Sequence, residues 1–303
     1  MRVKQPEIIF EDDAVIVCRK EAGVAVQTAR AGQADMVSLL KNYRAKKKEE
    51  PYIGLIHRLD QPVEGVMVFA KTKQAAAKLS VQVSSRSMEK EYLAVTEGIP
   101  QPSEGELCDW LLRNGRTNTS QVVKPGTPQA KDAKLRYQVE QTDEEQQKAL
   151  VHIWLHTGRH HQIRVQFAHA GYPLMGDTKY GREAVAGRYC PVALCSCRIA
   201  FIHPVTGKRD GILRSGPKGK RVYADGVKSN MKYGRKTCIL PVLYCMIKNT
   251  KHVKNMCHRG MKNGDQKCYD FTGDRSGRLI YQRKCSRTEC VVYLRGTGAT
   301  GKK

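Results

Sequence analysis

Strand-like runs outnumber helical runs over the first 210 residues of the chain, and the two kinds do not alternate regularly. Regular alternation would predict a doubly wound parallel sheet, whereas this order predicts a mixed α+β domain. We therefore expect a largely antiparallel central sheet with flanking helices over residues 1–210. The sequence has no run of about 20 apolar residues, the length that a membrane-spanning helix needs.

The individual elements are predicted from hydrophobic spacing and from turn residues. Two β runs surround an acidic turn at 8–17, and a continuous apolar run predicts a buried strand at 65–70. Further strands are predicted at 91–96, 134–139, 149–155 and 194–202. Helical spacing predicts three helices, at 36–46, 73–84 and 161–170.

The chain is strongly basic, with 53 Lys and Arg against 29 Asp and Glu, a net charge of +24 and a pI of about 9.7. Such a charge indicates a polyanionic partner such as nucleic acid. It is uneven, because residues 217–303 carry +16 and the first 216 residues only +8. The N-terminus lacks the apolar segment of a secretory signal, so we expect a cytoplasmic protein.

A short polar loop precedes the apolar run at 65–70. Asp60 follows His57 and Arg58 in this loop, which ends at Pro62. A carboxylate on a loop between rigid elements can reach a substrate as a nucleophile or a base. For an isolated aspartate the plainer interpretation, a turn residue bonded to nearby backbone, is favoured from these residues alone.

A second polar group occupies residues 155–181. Gly158 and Arg159 are expected to open a helix whose N-terminal amides can hold a phosphate. Arg164 is predicted to lie off the apolar face of that helix, which is formed by Ile163, Phe167 and Ala170. His160, His161 and His169 have the spacing of no common zinc motif, so no metal is predicted.

Taken together, these ordered motifs resemble the RluA-type family of RNA pseudouridine synthases over about residues 6–209. The first motif is Gly-Leu-Ile-His-Arg-Leu-Asp at 54–60, and the second includes Thr-Gly-Arg at 157–159 and His-Gln-Ile-Arg-Val at 161–165. The resemblance implies the pseudouridine synthase fold and an isomerase that converts specific uridines of structured RNA without a cofactor. We expect ribosomal RNA as the substrate, transfer RNA as the second candidate, and a monomer that binds no membrane.

The resemblance also implies the catalytic residues. Asp60 matches the aspartate that attacks or assists at the target uridine while the glycosidic bond breaks and the base rejoins through carbon. Arg164 matches the arginine that pairs with this aspartate and keeps it ionised. Tyr92 matches the tyrosine that stacks on the uracil and is a candidate proton acceptor.

Substrate binding is predicted for four further residues. Arg58 matches the residue that fills the space left by the uridine when it leaves its stack. The other three predicted binding residues are His57, Arg159 and His161.

The chain also departs from the family pattern. Val63 and Glu64 stand where the family has Thr-Ser, and Gln166 stands where His is usual. Glu64 is expected to repel a phosphate or to raise the pKa of Asp60. Two alternatives therefore stay open, a non-catalytic RNA-binding protein on the same scaffold and an aspartate-dependent RNA glycosylase or lyase.

Residues 211–303 form a basic tail that holds six of the 11 cysteines. Their spacing contains no C-x-x-C pair, which argues against a zinc ribbon. One interpretation is an RNA-binding extension whose tyrosines stack on bases. The other is a poorly ordered C-terminus produced by a frameshift.

Overall fold

The computed structural model describes residues 6–30, 32–181 and 191–209, together with the backbone of three strands within 269–293. The chain divides into two compact units, residues 1–246 and 247–303. The boundary predicted at residue 210 lies outside the described residues, as does most of the basic tail.

The described part of the first unit contains one ten-stranded sheet in the order β1-β2-β4-β10-β5-β9-β8-β6-β7, with β3 paired to β4. Its neighbouring strands are antiparallel except for β4 and β10, which are parallel. The mixed, largely antiparallel fold is therefore confirmed. The strands are β1 (Glu7–Glu11), β2 (Val15–Lys20), β3 (Gly54–Leu55), β4 (Glu64–Ala70), β5 (Glu89–Glu97), β6 (Glu104–Asn114), β7 (Thr119–Val123), β8 (Lys131–Asp143), β9 (Lys148–Leu155) and β10 (Leu194–Ala200).

Two helices have the predicted bounds, α1 (Met36–Lys46) and α2 (Lys73–Ser84). Each begins where a side chain satisfies an amide of the first turn. Asp35 accepts the Ser38 N–H and the Ser38 hydroxyl accepts the Asp35 N–H, while Thr72 caps α2. These local bonds explain why spacing alone located both helices.

The third helix, α3 (Gln162–His169), differs from its prediction. It begins one residue later, because His161 is its N-cap in the left-handed conformation, with φ at 55°. Of the predicted apolar face, Ile163 and Phe167 are buried as expected but Ala170 is exposed, and Arg164 is buried as well, with 2% of its surface accessible. The phosphate-binding amide was also placed wrongly, because the Arg159 N–H precedes the helix and donates to Gln162 Oε1 at 3.0 Å.

The hairpin of β6 and β7 was not predicted. Exposed and half-buried residues alternate along β6, so the strand lacks the apolar run that marks the central strands. The turn that joins the two strands starts at Asn114-Gly115, a pair typical of hairpins, and this was the available signal.

The centre of the sheet opens between β4 and β10. Their parallel pairing covers only Glu64–Gly65 and Cys195–Ser196. A Cβ atom at Gly65 would stand 2.3 Å from the Ser196 carbonyl oxygen, so only glycine permits this approach. Further along β4, the His57 side chain bonds to the strand, because its Nε2 accepts the Val68 N–H at 3.3 Å. The loop that follows β3 is thereby anchored in the gap.

The described strands of the second unit are β11 (Tyr269–Gly273), β12 (Leu279–Cys285) and β13 (Thr288–Tyr293), which form an antiparallel sheet in chain order. In the described portion of the whole chain, no helix has the length and apolar character to cross a membrane.

Candidate active site

The backbone of the loop that carries Asp60 is held by Lys20, whose side chain is fully buried. The Lys20 ammonium donates to the carbonyl oxygens of Glu21 at 3.1 Å, Val24 at 2.7 Å and Gln61 at 3.0 Å. Burial lowers the pKa of Lys20 to about 8, and the negative charge of Asp60 opposes that shift. The three bonds fix the peptide next to Asp60.

Arg164 contacts Asp60 across 104 positions of sequence. Its Nη1 donates to Asp60 Oδ2 at 3.0 Å. The carboxylate itself is partly open, with 25% of its side chain accessible, whereas the Arg164 side chain is only 3% accessible. The predicted pairing of these two residues is therefore present in the fold, with the cation enclosed and the anion partly exposed.

Asp177 holds Arg164 in this position. Its two carboxylate oxygens accept from Arg164 Nε and Nη2, both at 2.7 Å, in a bidentate pair. Burial raises the pKa of Asp177, but its bonds to Arg164 and to the Lys179 and Tyr180 amides outweigh that effect and lower it. For Arg164, burial lowers the pKa, and the two carboxylates reverse this and raise it.

His161 lies on the other side of the same carboxylate oxygen. Its Nε2 is 3.7 Å from Asp60 Oδ2, and its Nδ1 is 2.8 Å from Tyr180 Oη. Because a hydrogen on Nε2 faces the Asp60 carboxylate, we place the imidazole hydrogen there; Tyr180 Oη, which accepts the Ser120 N–H at 2.8 Å, then donates its own proton to Nδ1. Burial lowers the pKa of His161 to about 4, although the charge of Asp60 opposes it. The ring is therefore neutral near pH 7.

Tyr92 lies on β5 and is 5% accessible. Burial raises its pKa, and the nearby negative charge of Asp60 raises it further. Tyr92 is therefore a neutral phenol near pH 7.

The four predicted binding residues occupy different surroundings. Arg58 is exposed and, with Leu59 and Gln61, lines a groove of about 300 Å³ beside the segment 25–33. His57 is anchored to Val68, and burial lowers its pKa to about 3.

Arg159 is engaged by the protein itself. Its Nε donates to the Asp132 carbonyl and its Nη2 to the Asp132 carboxylate, both at 2.7 Å. Of the seven predicted site residues, the fold brings Asp60, Arg164, Tyr92 and His161 together. Arg159 is instead held by Asp132.

Three residues of the site were not identified from the sequence, namely Lys20, Asp177 and Tyr180. Asp177 and Tyr180 belong to the Gly-Asp-Thr-Lys-Tyr-Gly block at 176–181, which carried part of the resemblance without an assigned role. An aspartate that follows a predicted arginine-bearing helix was the available signal for the second carboxylate.

Two of the departures from the family pattern, Glu64 and Gln166, have side-chain partners other than Asp60. Glu64 pairs with Arg19 at 3.3 Å. Gln166 donates to the Asp109 carboxylate at 2.7 Å and is fully buried. Among the described residues, neither Glu64 nor Gln166 forms a hydrogen bond or an ion pair with Asp60.

Residues 14–169 match the family model described as RNA pseudouridylate synthase. The chain is 32% identical over 202 residues to the uncharacterized RNA pseudouridine synthase YhcT of Bacillus subtilis strain 168, covering 66% of this chain and 65% of that protein. It is 33% identical over 215 residues to ribosomal large subunit pseudouridine synthase D of Vibrio cholerae, covering 66% and 64%. The corresponding synthase C of Yersinia pestis is 32% identical over 206 residues, with coverage of 66% and 62%. The chain thus spans just under two thirds of these relatives.

Two solved structures share the fold. Human RNA pseudouridylate synthase domain containing 4 superposes with a TM-score of 0.58 at 24% identity, covering 69% of this chain and 88% of that one. Human RNA pseudouridylate synthase domain containing 1 gives 0.57 at 23% identity, with coverage of 70% and 84%.

Proposed function

Since the chain belongs to the RNA pseudouridylate synthase family, we propose that it isomerises uridine to pseudouridine in RNA, with Asp60 as the catalytic residue. The observation that carries this proposal is the state of the Asp60 carboxylate. Arg164 occupies Oδ2, while Oδ1 has no hydrogen-bond partner within the part of the chain that the structure describes. Oδ2 is thus held by Arg164, and Oδ1 is available to a substrate.

In the proposed reaction, Asp60 Oδ1 forms a bond to the ribose C1′ and the C1′–N1 bond breaks, so the uracil leaves with the electron pair. After the base rotates, its C5 bonds to C1′ and the Asp60 carboxylate is released. C5 then loses its proton to an acceptor and N1 takes up a proton, which completes an isomerisation without a cofactor.

Arg164 and Tyr92 have complementary roles in this scheme. Arg164 holds the Asp60 carboxylate in place, because the position of Arg164 is itself fixed by the buried Asp177. Tyr92 is the proposed platform for the uracil and the acceptor of the C5 proton.

The binding roles are proposed as follows. Arg58 is exposed and free of described partners, so its guanidinium can stack in the space that the flipped uridine leaves. His57 and His161 are proposed to contact the RNA as neutral rings. Arg159 contributes only where RNA displaces Asp132 or contacts the remaining guanidinium face.

For the substrate we propose ribosomal RNA of the large subunit, because two of the relatives named above are ribosomal large subunit pseudouridine synthases. Transfer RNA is the second candidate. The protein is proposed to act as a monomer in the cytoplasm, with residues 1–210 as the catalytic domain.

The test compares wild type, Asp60→Asn and the surface control Asp132→Asn on an unmodified large-subunit ribosomal RNA transcript labelled with tritium at uridine C5. We expect tritium release and mapped pseudouridine with wild type and Asp132→Asn, and neither with Asp60→Asn. Release by Asp60→Asn equal to that by wild type would contradict the catalytic role.

The same reaction separates the two alternative functions. Free uracil in the supernatant, without pseudouridine in the RNA, would indicate a glycosylase. RNA binding by wild type without tritium release from ribosomal or transfer RNA would indicate a non-catalytic RNA-binding protein.

A further inference from the structure

Lys90 is a half-buried cation on β5, two residues before Tyr92. Because side chains two apart on a strand share a face, Lys90 and Tyr92 point to the same side of the sheet. A Cβ atom at Gly158 would stand 3.2 Å from Lys90 Nζ, so the ammonium lies against the backbone of the loop that leads into α3. The loop that carries the start of the second motif therefore lies against Lys90.

Lys90 differs from the other enclosed lysines. Lys20 donates to three carbonyls, Lys71 pairs with Glu11 and Glu49, and Lys148 donates to Gln146. By contrast, the Lys90 ammonium forms no hydrogen bond and no salt bridge with any residue that the structure describes. Burial lowers its pKa, and within the described ranges no carboxylate raises it again. Enclosing a cation without a partner is costly, so its retention needs a reason.

His57 presents a second unsatisfied donor on the neighbouring loop. Its Nε2 accepts from Val68, so the neutral ring carries its proton on Nδ1, which is buried without a hydrogen-bond partner. Lys90 is close enough for its charge to lower the pKa of His57, after the larger effect of burial. Two unsatisfied donors thus lie near each other, His57 on the Asp60 loop and Lys90 against the loop before α3.

We propose that Lys90 binds a phosphate group of the RNA next to the target uridine, with the His57 Nδ1–H as a second donor. The inference rests on the proposed function, since Tyr92 on the same strand face is the proposed platform for the uracil. A phosphate supplies both a negative charge and acceptor oxygens, which are what the two groups lack. Such a contact to the RNA backbone positions the nucleotide without distinguishing its base.

The test is the salt dependence of binding to a short single-stranded oligouridylate. Each phosphate contact contributes about 0.7 to 1 to the slope of log affinity against log salt concentration. We expect Lys90→Gln to reduce the slope by about that amount, while Lys90→Arg keeps it. The matched control is Lys73→Gln, since Lys73 is exposed at the first residue of α2. It is expected to retain the wild-type slope.

A melting curve of each variant without RNA distinguishes binding from structure. Removing an unpaired, half-buried cation breaks no interaction, so Lys90→Gln is expected to melt at the wild-type temperature or above it. Equal slopes for Lys90→Gln and wild type would overturn the proposal, as would a lower melting temperature with an unchanged slope. Because binding is read without turnover, this failure is distinct from a failure of the wild type to form pseudouridine.

Discussion

Two carboxylate–arginine clusters flank the start of α3 and have the same contact lengths in different surroundings. In the buried cluster, Arg164 meets Asp177 at 2.7 Å with side chains 3% and 0% accessible. In the surface cluster, Arg159 meets Asp132 at 2.7 Å with side chains 28% and 50% accessible. The contact distance alone therefore does not distinguish the buried pair from the exposed pair.

The difference lies in what each charge loses when its partner is removed. Water re-solvates an exposed arginine, so surface pairs contribute about 0 to 1 kcal/mol. A buried arginine has no such replacement, and breaking a buried pair costs about 3 to 5 kcal/mol. Asp177 is expected to stabilise both the fold and the orientation of Arg164, whereas Asp132 only restrains Arg159.

Asp177→Asn gives the largest expected effect. Arg164 would lose the charge of its buried bidentate partner and keep only the partly open Asp60, and we expect the free energy of unfolding to fall by about 3 to 5 kcal/mol. Urea denaturation measures this loss. In the same variant, pseudouridine formation is expected to fall even at temperatures where the protein remains folded. Wild-type stability would show that the buried cluster behaves like the surface one.

Lowering the pH is expected to give the second-largest loss of stability. The pKa of His161 falls from 6.5 to about 4 on folding, so between these values the unfolded chain binds a proton that the folded protein does not. Stability is then lost as pH falls from about 6.5 to about 4, by up to about 1.4 kcal/mol per pH unit from this histidine. His161→Asn is expected to flatten the pH dependence of unfolding. An unchanged pH dependence would contradict the assignment of a neutral His161.

Tyr180→Phe is expected to have an intermediate effect. It removes the hydroxyl that bonds His161 Nδ1 and the Ser120 amide, at a cost of about 1 kcal/mol. If His161 helps to orient Asp60, kcat should fall while KM changes little, and tritium release at several RNA concentrations separates the two. A change in KM alone would assign Tyr180 to RNA binding.

Asp132→Asn gives the smallest expected effect, about 0 to 1 kcal/mol, because both of its arginine partners stay in contact with water. The loss should shrink further in high salt, which screens exposed charges. Thermal melting at low and high salt measures it. A larger loss than that of Asp177→Asn would reverse the ranking of the two clusters.

Sequence patterns predicted elements whose signals are local. The bounds of α1 and α2 follow from caps and spacing within a few residues, and the β4 run is apolar because both of its faces are covered. The hairpin of β6 and β7 was missed because its half-exposed strands lack that apolar signature. The burial of Arg164 was missed because it depends on a carboxylate outside the helix.

The sequence alone was enough to establish the mixed fold and the family resemblance, and through it the pairing of Asp60 with Arg164. Only the tertiary structure showed that Asp177 fixes Arg164, that His161 faces the same oxygen of Asp60, and that Lys90 has no partner among the residues that the structure describes. Spacing along a chain determines which face a residue occupies. Partners that lie many residues apart meet only when the sheet and its loops have packed.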